Sequence, residues 1–237
     1  MIKTLKRLGT LPNTVSAVRT VAVYNAYRKN GGAAFYRVLK NGKTVGVISH
    51  CGGCSLTVTG DADFKELDSF FGIFGCEVFT EAETARFLSP KSKKEVSLLR
   101  LCGKVTSLTA ETEANCKTLY KTLRFGTDGD ISLPEFDEFY ADFLIRKNHG
   151  SAISFQTENS AAISLFVTTD GALITGVATK GTERRKGHGS DALFGLIAKI
   201  KALYGDIPVY AAVSEKNKPF YYKNGFEEIG KAAILYY

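Results

Sequence analysis

Chemistry in this chain can begin at Arg184-Arg185-Lys186-Gly187-His188-Gly189-Ser190. Three of these side chains are basic, and two glycines let a ligand approach the backbone with no Cβ in the way. The apolar run Ala172 to Thr179 precedes them and the amphipathic stretch Asp191 to Tyr204 follows. A strand that turns through glycine into a helix leaves backbone N–H groups unpaired at the positive end of the helix dipole, which makes an anion site. The spacing of Gly187 and Gly189 suits a diphosphate. A dinucleotide fingerprint would need a third glycine where Ala192 stands, and no Gly-Lys-Ser/Thr follows to make a P-loop.

A second reactive constellation is Asn217 followed by Phe220-Tyr221-Tyr222-Lys223-Asn224-Gly225-Phe226. The phenol of Tyr221 can serve as a general acid. The other reading of Tyr221 is an aromatic core residue on a short helix, and Tyr222 is the adjacent competitor.

The elements that must position these groups follow from periodicity. Three strand-like runs, Ser151 to Thr157, Ala161 to Thr168 and Ala172 to Thr179, are punctuated by Glu158-Asn159 and Asp170-Gly171. The helix after the basic turn presents Leu193, Leu196, Ile197, Ile200 and Leu203 inward, with Lys199 and Lys201 outward. Val209 to Val213 reads as a strand, Lys218 to Lys223 as a short helix and Glu227 to Tyr236 as a closing strand. Upstream, helices are expected over Ala110 to Arg124 and from Ser132, where Ser132 and Glu135 have capping-box spacing and Pro134 sits in the first turn. Phe136, Phe139, Tyr140 and Phe143 stripe that second helix and pack into a core or line a cleft.

The order strand, Arg-x-x-Gly-x-Gly, helix resembles the acetyl-CoA pyrophosphate loop of the GCN5-related N-acetyltransferase (GNAT) superfamily, carried here by Arg184, Gly187 and Gly189. The run from Asn217 through Tyr221 to Gly225-Phe226 is similar to the family region whose tyrosine protonates the departing thiolate. The resemblance implies an α+β fold with a mostly antiparallel, twisted sheet flanked by helices. It implies acetyl-CoA as cofactor and transfer of acetyl to a primary amine by direct attack, with Tyr221 as the catalytic acid. Cofactor contacts then fall on Val177, Ala178 and Thr179 along the strand edge, on Arg184, Arg185, Lys186, Gly187, His188, Gly189 and Ser190 in the loop, and on Asn217 and Tyr221.

Two departures from the family bear on activity. The strand ahead of the loop carries no carboxylate, so the general base stays open among Glu183, Ser214 acting through water, and His149. His188 stands where the family more often has a hydrophobic residue, and would cover the cofactor. The missing carboxylate keeps a second reading alive, a non-catalytic acyl-CoA-binding regulatory or interaction module.

The first half repeats the succession of elements. A helix capped by Thr14 leads to a hairpin, Ala34 to Leu39 and Thr44 to Ser49, turning at Asn41-Gly42. Then come a strand Cys54 to Thr59, an amphipathic helix Asp61 to Phe74 ended by Gly75, a strand Cys76 to Thr80, a short helix Glu81 to Leu88, a basic loop Ser89 to Lys94 and a strand Glu95 to Cys102. Laid over the second half, Thr80-Glu81 falls beside Ser214-Glu215, Phe87 beside Tyr221 and Glu83 beside Asn217. Thr59-Gly60-Asp61 replaces the basic loop, and carboxylates there would repel a diphosphate. This is the pattern of a tandem GNAT protein, with a degenerate GNAT-like domain over residues 1–102 and a catalytic one over 103–237.

Composition sets the remaining bounds. The chain has 237 residues, 44% of them apolar, and 31 basic against 24 acidic side chains give a net charge of +7. That balance suits an anionic cofactor, and no interleaved basic and aromatic stripe argues for nucleic acid. No run approaches a membrane span, no secretory start is evident and five cysteines are an odd count, which together indicate a cytoplasmic protein with reduced thiols. The expected partner is a small-molecule or peptide amine, with no membrane involvement, and a homodimer is compatible with the resemblance. Cys51-Gly52-Gly53-Cys54 has metal or redox spacing, but Cys76, Cys102 and Cys116 stand isolated in sequence, so no metal is expected and the pair is read as turn residues. Asp128 to Glu135 echoes a calcium loop with half its ligands missing and is read as a helix cap.

Overall fold

A short strand, β1 (Ile2–Thr4), which no alternating run marks, precedes helix α1 (Val15–Tyr27). The Thr14 hydroxyl caps α1 as expected, accepting from the N–H of Ala17 at 3.3 Å. The hairpin β2 (Ala34–Lys40) and β3 (Lys43–Cys51) turns where Asn41 and Gly42 both take positive φ, 52° and 76°, as a type I′ turn demands. Strand β4 (Gly53–Val58), helix α2 (Phe64–Phe74), strand β5 (Glu77–Glu81), helix α3 (Ala82–Ala85) and strand β6 (Ser92–Leu101) follow. The basic loop expected over 89–94 is therefore shorter, because Ser92–Lys94 already belong to β6.

The computed structural model describes residues 1–29, 31–103, 105, 110–112, 115–126 and 133–237. These fall into two units, one comprising Met1–Leu99, Ala212–Tyr221 and Glu228–Tyr237, the other Arg100–Ala211 and Tyr222–Glu227. The strands of the first lie in the order β1-β2-β3-β4-β5-β11-β6, where β11 (Phe226–Tyr236) is the last strand of the chain. Neighbours along β1 to β4 pair antiparallel, β4 and β5 pair parallel through Cys54↔Val78 and Ser55↔Phe79, and β11 runs antiparallel to β5. Leu56, Leu67, Phe71, Val78, Ala233 and Leu235 are wholly buried in one apolar cluster of this unit.

The second unit opens with helix α4 (Cys116–Gly126). It starts later than the expected Ala110, because the Asn115 carboxamide accepts from the N–H groups of Lys117 and Thr118 at 2.9 and 3.2 Å and caps the helix there. Helix α5 (Phe136–Asn148) also starts late, with Glu135 as N-cap. A capping box from Ser132 would require Glu135 inside the first turn. Instead its carboxylate reaches out to the Arg124 guanidinium at 3.2 Å. Residues 127–132, with Ser132 and the calcium-like stretch, lie outside the described residues. Phe139 and Phe143 are buried, whereas Tyr140 is 41% exposed, so the inner part of the aromatic stripe packs as core.

The meander β7 (Ile153–Gln156), β8 (Ser160–Thr168) and β9 (Gly171–Thr179) then leads into helix α6 (His188–Tyr204) and strand β10 (Val209–Val213), with order β10-β9-β8-β7. The pairs β7·β8 and β8·β9 are antiparallel and β9·β10 is parallel. Of the expected inner face of α6, Leu193, Leu196, Ile197 and Ile200 are fully buried, but Leu203 is 63% exposed. The last turn is held instead by the Tyr204 hydroxyl, which donates to the Gly150 carbonyl at 2.5 Å. Among the described residues no helix is long and apolar enough to cross a membrane, and no group of three or more His, Cys, Asp or Glu could hold a metal ion.

The approach of α6 to β7 depends on a missing side chain. A Cβ placed on Gly195 would lie 2.3 Å from two ring carbons of buried Phe155. Alanine is the better helix former by about 1 kcal/mol, yet the overpacking should win, leaving Gly195→Ala less stable by about 1–3 kcal/mol in urea unfolding. Phe155→Leu in the same chain should recover part of the loss, and a neutral Gly195→Ala variant would contradict this packing.

Candidate functional site

After β9 the chain makes one 3₁₀ turn, Gly181–Glu183, and reaches α6 through Arg184–Gly187. Two residues bend the loop. Arg185 sits at φ 64° and Gly187, the N-cap of α6, at φ 94°. The Gly187 carbonyl accepts from the N–H groups of Ser190 and Asp191 at 2.9 and 3.1 Å, which closes the first turn. Among the described residues no acceptor takes the N–H groups of Lys186, Gly187, His188 and Gly189. Arg185, Lys186 and Gly187 are exposed, and His188, Gly189 and Ser190 half-buried. The turn thus presents four free backbone donors at a helix start, a donor set that fits a diphosphate.

The side chains around the turn are organised in ways the spacing does not reveal. Arg184 donates to the carbonyl of Gly126, at the end of α4, at 2.8 Å and to that of Thr179 at 3.4 Å, so it ties the loop to its own unit. Gly126 permits this close approach, since a Cβ there would meet Ala178 Cβ at 2.9 Å and the Thr179 backbone at 3.0 Å. The Ser160 hydroxyl donates to the His188 carbonyl at 2.7 Å and anchors the first helical residue to β8. Glu183 lies 3.0 Å from the Lys186 ammonium and 3.6 Å from His188 Nε2.

The strand edge ahead of the loop is splayed. The β9·β10 ladder covers Ala172↔Val209, Leu173↔Tyr210 and Ile174↔Ala211, whereas β9 stays paired with β8 as far as Thr179↔Ser160. The β8·β9 register slips between Ile163↔Gly176 and Ser164↔Ile174, passing over Thr175, and slips back before Phe166↔Leu173, passing over Leu165. The Thr175 hydroxyl donates to the Ile163 carbonyl and accepts from the Leu165 N–H, both at 3.2 Å. Gly176, Val177 and Ala178 form the stretch beyond the ladder, and the Thr179 carbonyl is turned to Arg184.

Asn217 and Tyr221 belong to the first unit. Asn217 ends the 3₁₀ turn Glu215–Asn217 and its N–H donates to the Ser214 carbonyl at 3.0 Å, and helix α7 (Lys218–Lys223) follows directly. Tyr221 is 8% exposed with its ring edge-on to Phe220, whereas Tyr222 is 44% exposed. Burial pushes the Tyr221 phenol well above its usual range, so it holds its proton through neutral pH. Of the candidate bases, Glu183 is held below the usual carboxylate range by its hydrogen bond from Lys186, with a smaller contribution from His188, which makes it a poor proton acceptor. His149 caps α5 with its Nδ1 2.8 Å from the Ile145 carbonyl, and Ser214 is the N-cap of the 3₁₀ turn.

The helix start of the first unit is built the opposite way. Asp63 caps α2, and its Oδ1 accepts from the N–H groups of Lys65 and Glu66, both at 3.1 Å. A carboxylate of the chain itself occupies the place of an external anion. Phe87 is 64% exposed and stacks on Phe64, with ring centroids 4.9 Å apart.

No protein-family model and no curated protein matches the chain. Solved structures do. A GNAT-family acetyltransferase from Colwellia psychrerythraea aligns over 100% of both chains with TM-score 0.53 and 13% identity. A GCN5-related N-acetyltransferase from Kribbella flavida aligns over 94% of this chain and 95% of its own, with TM-score 0.58 and 12% identity. This chain has the GNAT fold. A tandem GNAT protein from the clavulanic acid biosynthesis pathway also matches, over 99% of this chain and 97% of its own, with TM-score 0.54 and 9% identity. At such identities the likeness is one of fold, so the assignment of residues within the GNAT frame rests on local geometry.

The bonds of Arg184 give a ligand-free test. Arg184→Ala should destabilise the chain by about 1–3 kcal/mol in urea, because it leaves the Gly126 carbonyl without its charged donor. Arg184→Lys should recover less than half of that, lacking a fork to reach two carbonyls. An Arg184→Ala variant of unchanged stability in the absence of any nucleotide would show that the tie is not formed.

Proposed function

We propose that this protein is an acetyl-CoA-dependent N-acetyltransferase that passes acetyl to a primary amine by direct attack. The observation that carries this reading is the combination, within one unit, of four unpaired N–H groups at the start of α6 and a β9 edge whose ladder stops at Ile174. Acetyl-CoA supplies the activated acyl thioester when bound. The N–H groups of Lys186, Gly187, His188 and Gly189 hold its diphosphate, the Ser190 hydroxyl adds a donor, and Arg185 and Lys186 contribute charge. Arg184 acts indirectly, by fixing the loop to α4 and β9.

Backbone groups of Val177 and Thr179 pair with the pantetheine arm as an added strand would, with Ala178 between them. An N–H at Val177 polarises the thioester carbonyl, worth on the order of 10²-fold in rate for such donors. We assign to Tyr221 the proton returned to the departing thiolate, and count Asn217 among the cofactor-binding residues. Because Glu183 is ion-paired, we place amine deprotonation with water held by Ser214 or with His149.

The first half, residues 1–102, we take as a second copy of the same element order, degenerate because Asp63 fills its anion position; residues 103–237 are the catalytic copy. The parallel fourth strand in each set, β5 beside β4 and β10 beside β9, supports this reading. The alternative is an acyl-CoA-binding module without turnover, favoured by the lack of a carboxylate on β9.

Thermal shift with CoA and thiol release over a panel of amines separate the two: binding with no release on any amine supports the module. Tyr221→Phe should lower turnover about 10²-fold with little change in CoA affinity. Since burial raises the phenol, the wild-type rate should show no alkaline fall belonging to Tyr221 below about pH 10. Unchanged turnover in Tyr221→Phe would remove the acid assignment.

A further inference from the structure

The sulfur beside Cys54 belongs to Cys76, a residue that spacing alone marks as isolated. The two Sγ atoms are 3.2 Å apart, and both thiols are free. Cys54, on β4, is 1% exposed, and Cys76 is half-buried in the link between α2 and β5. The left-handed Gly75, φ 57°, ends α2 and turns the chain so that Cys76 returns against β4 just before β5 pairs with it through Cys54↔Val78.

We propose that Cys54 and Cys76 form a redox-active dithiol that closes to a disulfide by exchange with a small-molecule disulfide of the glutathione type. The roles of the two sulfurs follow from their surroundings. The hydrogen bond from Cys54 favours the thiolate of Cys76, against its own partial burial and the nearby Glu77 carboxylate, while that same bond and burial hold the Cys54 proton in place. Cys76 is also the one a reagent can reach. Its thiolate attacks one sulfur of the reagent, whose S–S bond breaks and releases a first thiolate, protonated by the proton Cys76 lost. The Cys54 sulfur then attacks Cys76 in the mixed disulfide and expels the second thiolate, which takes the Cys54 proton. Two cysteines are oxidised and one external disulfide is reduced to two thiols.

Closure joins β4 to the head of β5, the strand whose other neighbour is β11 through Tyr236↔Glu77 and Leu235↔Val78. The loop it seals contains all of α2. Cross-linking such a loop removes freedom from the unfolded chain, so the oxidised form should resist unfolding more strongly.

The test uses the full chain, incubated with oxidised glutathione, alkylated and digested. A Cys54–Cys76 linked peptide with Cys51 outside the bridge is expected, together with a rise of several degrees in the unfolding midpoint. Cys54→Ser should stop at a glutathione adduct on Cys76, and Cys76→Ser should leave Cys54 unoxidised. Should these variants fail to fold, one equivalent of phenylarsine oxide on the wild-type chain should protect both Cys54 and Cys76 from alkylation. A Cys51–Cys54 link, or Cys54 and Cys76 both alkylated after either reagent, overturns the pairing, and an unshifted midpoint in the linked form overturns the clamp.

Discussion

An irregularity in the β8·β9 ladder, where Thr175 and Leu165 are both left without a partner, lies just ahead of the candidate cofactor edge. The register is the same on either side of it, Ile163↔Gly176 and Phe166↔Leu173, so neither strand gains a residue and the disturbance is local. The Thr175 hydroxyl bonds to both Ile163 and Leu165 and so satisfies the backbone that the irregularity disturbs. Leu165 is held from its carbonyl as well, which accepts from Arg146 at 3.2 Å. Arg146 is a buried cation whose Nε meets both carboxylate oxygens of Asp142 at 2.9 and 2.8 Å. An unpaired charge there would be costly, so the route from Asp142 through Arg146 and Leu165 to Thr175 stands or falls together. The β10 ladder ends at Ile174, one residue before Thr175, and Gly176–Ala178 continue paired with β8 alone.

The two helix starts, α2 and α6, show how similar backbone geometry is directed to different ends. Each follows a strand with a parallel neighbour, and each has the unpaired donors that any helix N-terminus carries. In α2 the Asp63 carboxylate takes two of them, which stabilises the helix and excludes an anionic ligand. In α6 the cap is Gly187, with no side chain to offer, and Ser160 and Arg184 stabilise the turn from outside. Carboxylate in one place and glycine in the other decide which helix start keeps its N–H donors free.

Much of this was legible in the sequence because it depends on local rules. Asn41-Gly42 specified the hairpin, Thr14 the start of α1 and Gly75 the end of α2, each through its own backbone preference. The basic glycine turn likewise marked the start of α6, although the helix begins at His188 rather than Asp191. What could not be read is held by partners distant in sequence. Nothing near Arg184 signals that its guanidinium will seek the Gly126 carbonyl, 58 positions away. Thr175 looks like an ordinary strand residue until the register is known, and Cys76 stands alone until α2 folds it back onto Cys54. Leu203 continued the apolar stripe of α6 but fell in the last turn, where Tyr204 made the contact instead.

The last strand shows most clearly why order along the chain and order in space diverge. The alternation of β11 suits any sheet with a free edge, so the pattern predicts a strand without naming its neighbour. In the structure Ala232–Tyr236 pair with β5, and Ala233 and Leu235 complete the cluster built on Leu56, Phe71 and Val78. Tyr237 adds a ring contact to Phe71, 5.4 Å between centroids, and donates to Asp68 at 2.6 Å. The first unit therefore cannot close its core with residues 1–99 alone; without the chain terminus, β5 would lose a neighbour and bury less apolar surface. A first half whose helix start refuses phosphate still has a physical task, because the final strand of the chain is folded there.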